Sequence, residues 1–163
     1  MVVVKNKEIQ QQLVVHSWNQ PQVLQASHLL VLCIPKTYTT KDIEAYFSLV
    51  KNIRNTPDEI LNPFKEMLTS SITNKSQEEL TSWNKNQAYI ALGNLMTVAA
   101  NEQIDSCPME GFIPEKYDEI LELDKHNLTS VLVLPVGFRA EDDYMKDLQK
   151  VRKSTHDVVI EIS

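Results

Sequence analysis

Ser76-Gln77-Glu78-Glu79 has the form of a capping box, with serine as N-cap and glutamate three residues on. The stretch behind it constrains the fold more than any other. Residues 77–101 read as one long helix, and its second half is apolar nearly all round: Ala88, Ile90, Ala91, Leu92, Leu95, Met96, Val98, Ala99 and Ala100. An all-round apolar helix belongs in an interior, so the pattern predicts a central, buried helix. Ala91 and Gly93 are small and permit another helix to come close. The chain has 163 residues, enough for one domain spanning 1–163 with a real core and no covalent staples.

Two continuous apolar runs, 28–34 and 130–136, read as strands covered on both faces, the first bounded by Pro35 and the second closed by Pro135 and Gly137. Val2-Val3-Val4 is a β-branched run and reads as a strand with nothing before it. Helices are expected over 7–16, from Thr39-Thr40-Lys41-Asp42 to about residue 52, from Thr56-Pro57-Asp58-Glu59 to about residue 70, and over 114–121. In the third of these Thr56 is the expected cap and Glu59 completes a capping box. Residues 18–22 and 104–112 read as loops, 141–149 as polar and irregular, and 158–162 as a terminal strand. Helices outnumber strands and the two are not in strict alternation, which indicates an α+β fold.

Composition removes several classes of function. The net charge of -6 argues against a nucleic-acid partner. No apolar run reaches the ~20 residues of a membrane helix, and no signal-peptide core follows Met1. Cys33 and Cys107 are too few for a disulfide scaffold and favour a reducing, cytoplasmic setting. With three glycines, the chain holds no P-loop or dinucleotide fingerprint. His16, His28, His126 and His156 show no metal-ligand spacing, and no G-x-S-x-G elbow occurs. The acid pairs Glu78-Glu79 and Asp142-Asp143 sit where helix starts and solvated loops are expected.

What remains is a set of motifs in one order. Ala26-Ser27-His28 leads into the first apolar strand, and Ala91-Leu92-Gly93-Asn94 lies in the long helix. Pro108-Met109-Glu110-Gly111-Phe112, Leu134-Pro135-Val136-Gly137-Phe138 and Leu148-Gln149-Lys150-Val151-Arg152-Lys153 follow. Together they resemble the nitroreductase family, FMN-dependent NAD(P)H oxidoreductases, and in particular its oxygen-insensitive nitroreductase and dihydropteridine reductase branch. The likeness is specific over 83–112 and 131–153 and loose over 37–76. It implies a mixed sheet flanked by helices, a homodimer with the long helix at its interface, and a C-terminal strand that crosses to the partner subunit. A helix too apolar to expose and a lone terminal strand both fit that assembly.

The resemblance also implies roles. Pro108, Met109, Glu110 and Gly111 line one side of the flavin, with the backbone at Glu110-Gly111 meeting its N5 and O4 edge. Asn19 matches an asparagine that hydrogen-bonds the ring. Gln22 stands where many members have lysine beside the N1 and O2 edge, which implies a lower flavin potential here. Lys150 and Arg152 correspond to the clamp on the FMN phosphate, where a guanidinium fork and an ammonium suit phosphate oxygens. No side chain is implied to act as acid or base, and no metal is implied. Members of the family carry further N-terminal helices with phosphate contacts ahead of the strand at Val2, so the chain reads as N-terminally truncated relative to them. Two functions follow. One is a ping-pong oxidoreductase that passes electrons from NAD(P)H to a nitroaromatic, quinone or pterin-like acceptor. The other is a non-catalytic remnant of the same fold that serves as a dimerising or interaction module.

Overall fold

A computed structural model describes residues 1–162. Its centre is a four-stranded sheet in the order β1-β2-β4-β3, made of β1 (Val2–Val4), β2 (His28–Pro35), β3 (Asp105–Ser106) and β4 (Leu128–Gly137). The α+β class is as expected. A mixed sheet was expected, but all three pairings between these strands are antiparallel. Pro135 does not close β4 but lies buried within it, opposite Leu29.

The two long strands are apolar on both faces because both faces are covered. Leu29 and Val31 of β2 and Val133 of β4 pack with α1 (Lys7–Val14) and α6 (Pro114–Ile120), through Leu13 and Tyr117. Leu30, Leu32 and Ile34 of β2 face the other way with Leu132 and Leu134, against Ala88 and Leu92 of α5 (Gln77–Asn101). The register of β2 on β4 shifts between Leu32 and Cys33: Leu32 faces Leu132 while Cys33 faces Ser130. Val131 is therefore the extra residue of a bulge. It turns to the α5 side along with Leu132, and Ser130 turns to the α6 side.

Two of the three expected capping boxes form. Both arms of the Ser76–Glu79 capping box form at the start of α5. Thr39 and Asp42 form another at the start of α3 (Thr40–Arg54). The third expected box does not form. Here α4 (Asp58–Thr73) starts one residue later, with Pro57 at the N-cap position and no side-chain cap, so Thr56 lies outside the helix. A short helix α2 (Gln22–Gln25) follows Pro21. α3 and α4 pack on each other around Ile43, Phe47 and Ile72, with Leu80 of α5.

Two expectations that involve a partner subunit look different in the single chain. α5 is not buried all round in the single chain. Leu80, Asn84, Ala88, Leu92 and Ala99 form its covered stripe, while Tyr89, Ile90 and Val98 are exposed. The terminal strand 158–162 is also not formed. A helical turn, α7 (Thr155–Val158), occupies its start, capped by the Ser154 hydroxyl, and residues 159–162 pair with no strand among the described residues. A strand needs a neighbouring edge, and none among the described residues reaches it.

Candidate functional site

The loop after α5 is stitched to the edge of β4. Asp105 and Ser106 pair with Gly137 and Val136. The Cys107 N–H then donates to the Pro135 carbonyl at 3.1 Å, and Met109 and Val133 exchange bonds of 2.8 and 3.0 Å. Met109 is buried while Pro108 and Glu110 face solvent. Beyond Met109 the stitching stops. Phe112 closes a tight turn, its N–H donating to the Glu110 carbonyl at 2.9 Å, and its ring packs on Tyr117 with centroids 4.7 Å apart. Neither the Glu110 nor the Gly111 N–H meets a protein acceptor among the described residues. Two adjacent backbone donors thus make no hydrogen bond within the described residues.

The turn after α1 packs directly against this loop. Trp18 and Asn19 both take left-handed backbone conformations, with φ of 54° and 57°. The Ile113 N–H donates to the His16 carbonyl at 2.9 Å, and the Gln20 side-chain amide donates to the Gly111 carbonyl at 3.1 Å. Gln22 donates to the Gln20 side-chain oxygen at 2.9 Å, and the same nitrogen lies 3.8 Å from the sulfurs of both Cys107 and Met109. The Trp18 ring lies on Gly111. A Cβ there would stand 2.7 Å from Cζ3 and 2.8 Å from Cε3, so any larger residue would push the exposed Trp18 ring off the loop. Below the turns, the Ser17 hydroxyl and Tyr117 hydroxyl share a buried bond of 2.7 Å. Burial pushes the Tyr117 phenol up, and the Ser17 bond opposes that in part.

The structure therefore brings Gln22, Pro108, Met109, Glu110 and Gly111 together, with Asn19 exposed at the rim. It does not bring Lys150 or Arg152 into bonding contact with them. Arg152 is exposed and donates to the Val151 carbonyl at 2.7 Å. Lys150 lies near enough to Asp105 to help hold its carboxyl below the usual range, after the larger effect of Arg139. Sequence reasoning missed Trp18, Gln20 and Tyr89, whose hydroxyl donates to the Glu110 carboxylate from α5. Only the first two had a signal, their place in the polar turn around Pro21. Among the described residues no three His, Cys, Asp or Glu side chains gather as a metal site requires.

The sequence profile of the Nitroreductase family matches residues 1–138. The chain belongs to the nitroreductase family. A Staphylococcus haemolyticus protein assigned as an NAD(P)H nitroreductase is 31% identical over 166 residues, covering 97% of this chain and 74% of that protein. The major NAD(P)H-flavin oxidoreductase of Aliivibrio fischeri is 31% identical over 146 residues, covering 88% of this chain and 67% of that enzyme. Among solved structures, a protein of Exiguobacterium sibiricum assigned as a nitroreductase, in complex with FMN, superimposes with a TM-score of 0.83. It is 18% identical, covering 99% of this chain and 75% of that one, a likeness of nitroreductase fold. The family makes this chain an oxidoreductase related to NAD(P)H- and flavin-using enzymes. No helix of the described residues is long and apolar enough to cross a membrane.

The donor set at the two turns fits a flavin nitroreductase. Two backbone N–H groups without a protein acceptor among the described residues, at Glu110 and Gly111, lie within the same short loop as the sulfurs that the Gln22 amide approaches. A flat heterocycle with acceptor atoms along one edge is the ligand such a set suits.

Proposed function

We propose that this nitroreductase-family chain binds FMN and, as a homodimer, carries electrons from NAD(P)H to a nitroaromatic, quinone or pterin-like acceptor by a ping-pong cycle. The pair of open N–H groups at Glu110 and Gly111, beside the Gln22 amide, is the observation that carries this reading. FMN, when bound, supplies the two-electron redox chemistry. The residues of the chain bind it, orient it and keep one face open.

In this reading the Glu110 and Gly111 N–H groups hold the N5 and O4 edge of the ring. A backbone donor suits that task, since it approaches in the ring plane and leaves the face free for hydride donor and acceptor. Pro108 and Met109 supply the wall beneath. The Tyr89 hydroxyl of α5 donates to the Glu110 carboxylate. Gln22 gives a neutral hydrogen bond to the N1 and O2 edge, and Asn19 a second contact with the ring. A neutral amide stabilises negative charge on the reduced ring less than a lysine would, so the potential is set lower. Lys150 and Arg152 hold the phosphate. The exposed Tyr89, Ile90 and Val98 on α5 and the unpaired apolar side chains of residues 158–162 support assembly as a dimer.

The test is an FMN titration followed by turnover. Added FMN should lose fluorescence on binding, and the bound flavin should bleach with NADH or NADPH and recolour with a nitroaromatic or quinone. Absence of FMN binding at micromolar protein would overturn the reading. Sedimentation should give a dimer, and a stable monomer at that concentration would overturn the assembly.

A further inference from the structure

Residues 139–162 leave the sheet after Gly137 and make their hydrogen bonds almost wholly among themselves. The turns at 140–148 close on Ala140, Asp143 and Met145 carbonyls, and Ser154 caps its own helical turn. Among the described residues, only Arg139 bonds outside the segment. Its guanidinium forks onto Asp105, with Nε 2.5 Å from Oδ2 and Nη2 2.8 Å from Oδ1. Asp105 opens β3 and leads straight into the 107–111 loop. Arg139 holds the Asp105 carboxyl below the usual carboxylate range and Lys150 adds to that, while Asp105, Asp143 and Asp147 raise the Arg139 guanidinium. The fork thus extends the β3–β4 pairing of Asp105 with Gly137 by one side-chain contact, at the point where the segment carrying Lys150 and Arg152 leaves the sheet.

We propose that the Asp105–Arg139 fork is a positioning device, fixing the distance between the ring-binding turn and the phosphate-binding pair so that one ligand spans both. This rests on the flavin reading above. Fixing two subsites on one scaffold turns the second contact into an intramolecular one, and loosening either end lowers that advantage. A planar fork fixes orientation as a single ammonium cannot. Neither residue is assigned a contact with the ligand, so both act through the segment they hold.

The experiment compares FMN with riboflavin, which has the same ring and no phosphate, in the parent chain, Asp105→Asn, Arg139→Gln and the double variant. An exposed pair is a modest contact, so each single variant should weaken FMN by about three- to fivefold. Riboflavin affinity should not change, and the double variant should be no worse than either single one, as for two residues acting through one contact. Without ligand, trypsin should cut at Lys146, Lys150, Arg152 and Lys153 faster in the variants. Equal weakening of both ligands would mean general loosening of the site and overturn the proposal. Tighter FMN binding by Asp105→Asn would do so too, since it would show the carboxylate acting only as a negative charge near Lys150. If the parent chain holds FMN no better than riboflavin, the phosphate reading of Lys150 and Arg152 fails. Tryptic rates then still decide the fork, and unchanged rates overturn it.

Discussion

Replacing Asp118 should unsettle the strand that carries the site. Asp118 lies in α6, only 8% exposed, and its carboxylate receives three donors. Oδ1 accepts the Ser130 N–H at 2.8 Å and the Ser130 hydroxyl at 2.7 Å, and Oδ2 accepts the Thr129 hydroxyl at 2.6 Å. The need arises in the sheet. Where the β2–β4 register slips between Leu32 and Cys33, the β4 ladder is broken and the Ser130 N–H turns to the carboxylate. In Asp118→Ala that buried N–H loses its partner, at roughly 1–3 kcal/mol. The Ser130 hydroxyl falls back on the Pro114 carbonyl, 3.2 Å away, and loses about 1 kcal/mol. Thr129 is half-buried and can turn to water. Asp118→Ala should therefore cost about 2–4 kcal/mol, lowering Tm by about 4–16 °C for a chain of this size. Asp118→Asn keeps an oxygen for Ser130 and an amide that can donate to Thr129, so about 1 kcal/mol is expected. Urea unfolding followed by circular dichroism measures both. A loss under ~1 kcal/mol for the alanine variant, or equal losses in the two, would refute the idea that the carboxylate serves the bulge.

Arg152→Ala should weaken FMN binding by about ten- to a hundredfold, the worth of a charge-assisted bond, while Lys153→Ala changes little; equal losses in a fluorescence titration would point to a diffuse basic patch. Burial pushes the Cys33 thiol up to about 11 whereas Cys107 is exposed, so an aromatic disulfide reagent at mildly alkaline pH should label one thiol fast and the other slowly; two equally fast thiols in the folded protein would contradict it. The Ser76 N–H, and then its hydroxyl, hold the Glu79 carboxyl below its ordinary value. Its contribution is therefore full above the value of a free glutamate and is lost as pH falls through the lowered one. Acid titration of stability should show a shallower decline in Glu79→Gln than in the parent chain, and parallel curves would contradict that.

What could be read from the sequence and what could not divides by sequence separation. The Ser76–Glu79 box and the strands at 28–34 and 130–136 depend on residues within a few positions of each other, and each forms. Thr56 failed by a single residue, because proline fixes its own φ but does not decide whether the helix begins with it or after it. The all-round apolar half of α5 was legible as unfit for water, but not which side this chain covers itself. Ala88 and Leu92 meet the sheet while Ile90 and Val98 do not, a matter of which way the helix lies across β2 and β4. The ordered motifs located the 107–111 loop but not the tryptophan on its glycine, since Trp18 and Gly111 meet only when both turns are anchored to the same sheet. The bulge is the extreme case. One extra residue in β4 puts Val131 beside Leu132 on the α5 side, turns Ser130 to Asp118, and leaves Val133 in register with Met109. Nothing in Ser130-Val131-Leu132 announces it, because the pattern of a strand apolar on both faces reads the same with or without a slip. Asp118 thus serves the Ser130 end of the slip, while on its far side the unbroken pairing of residues 28–32 with 132–136 holds Val133, and through it Met109 and the start of the 110–111 turn.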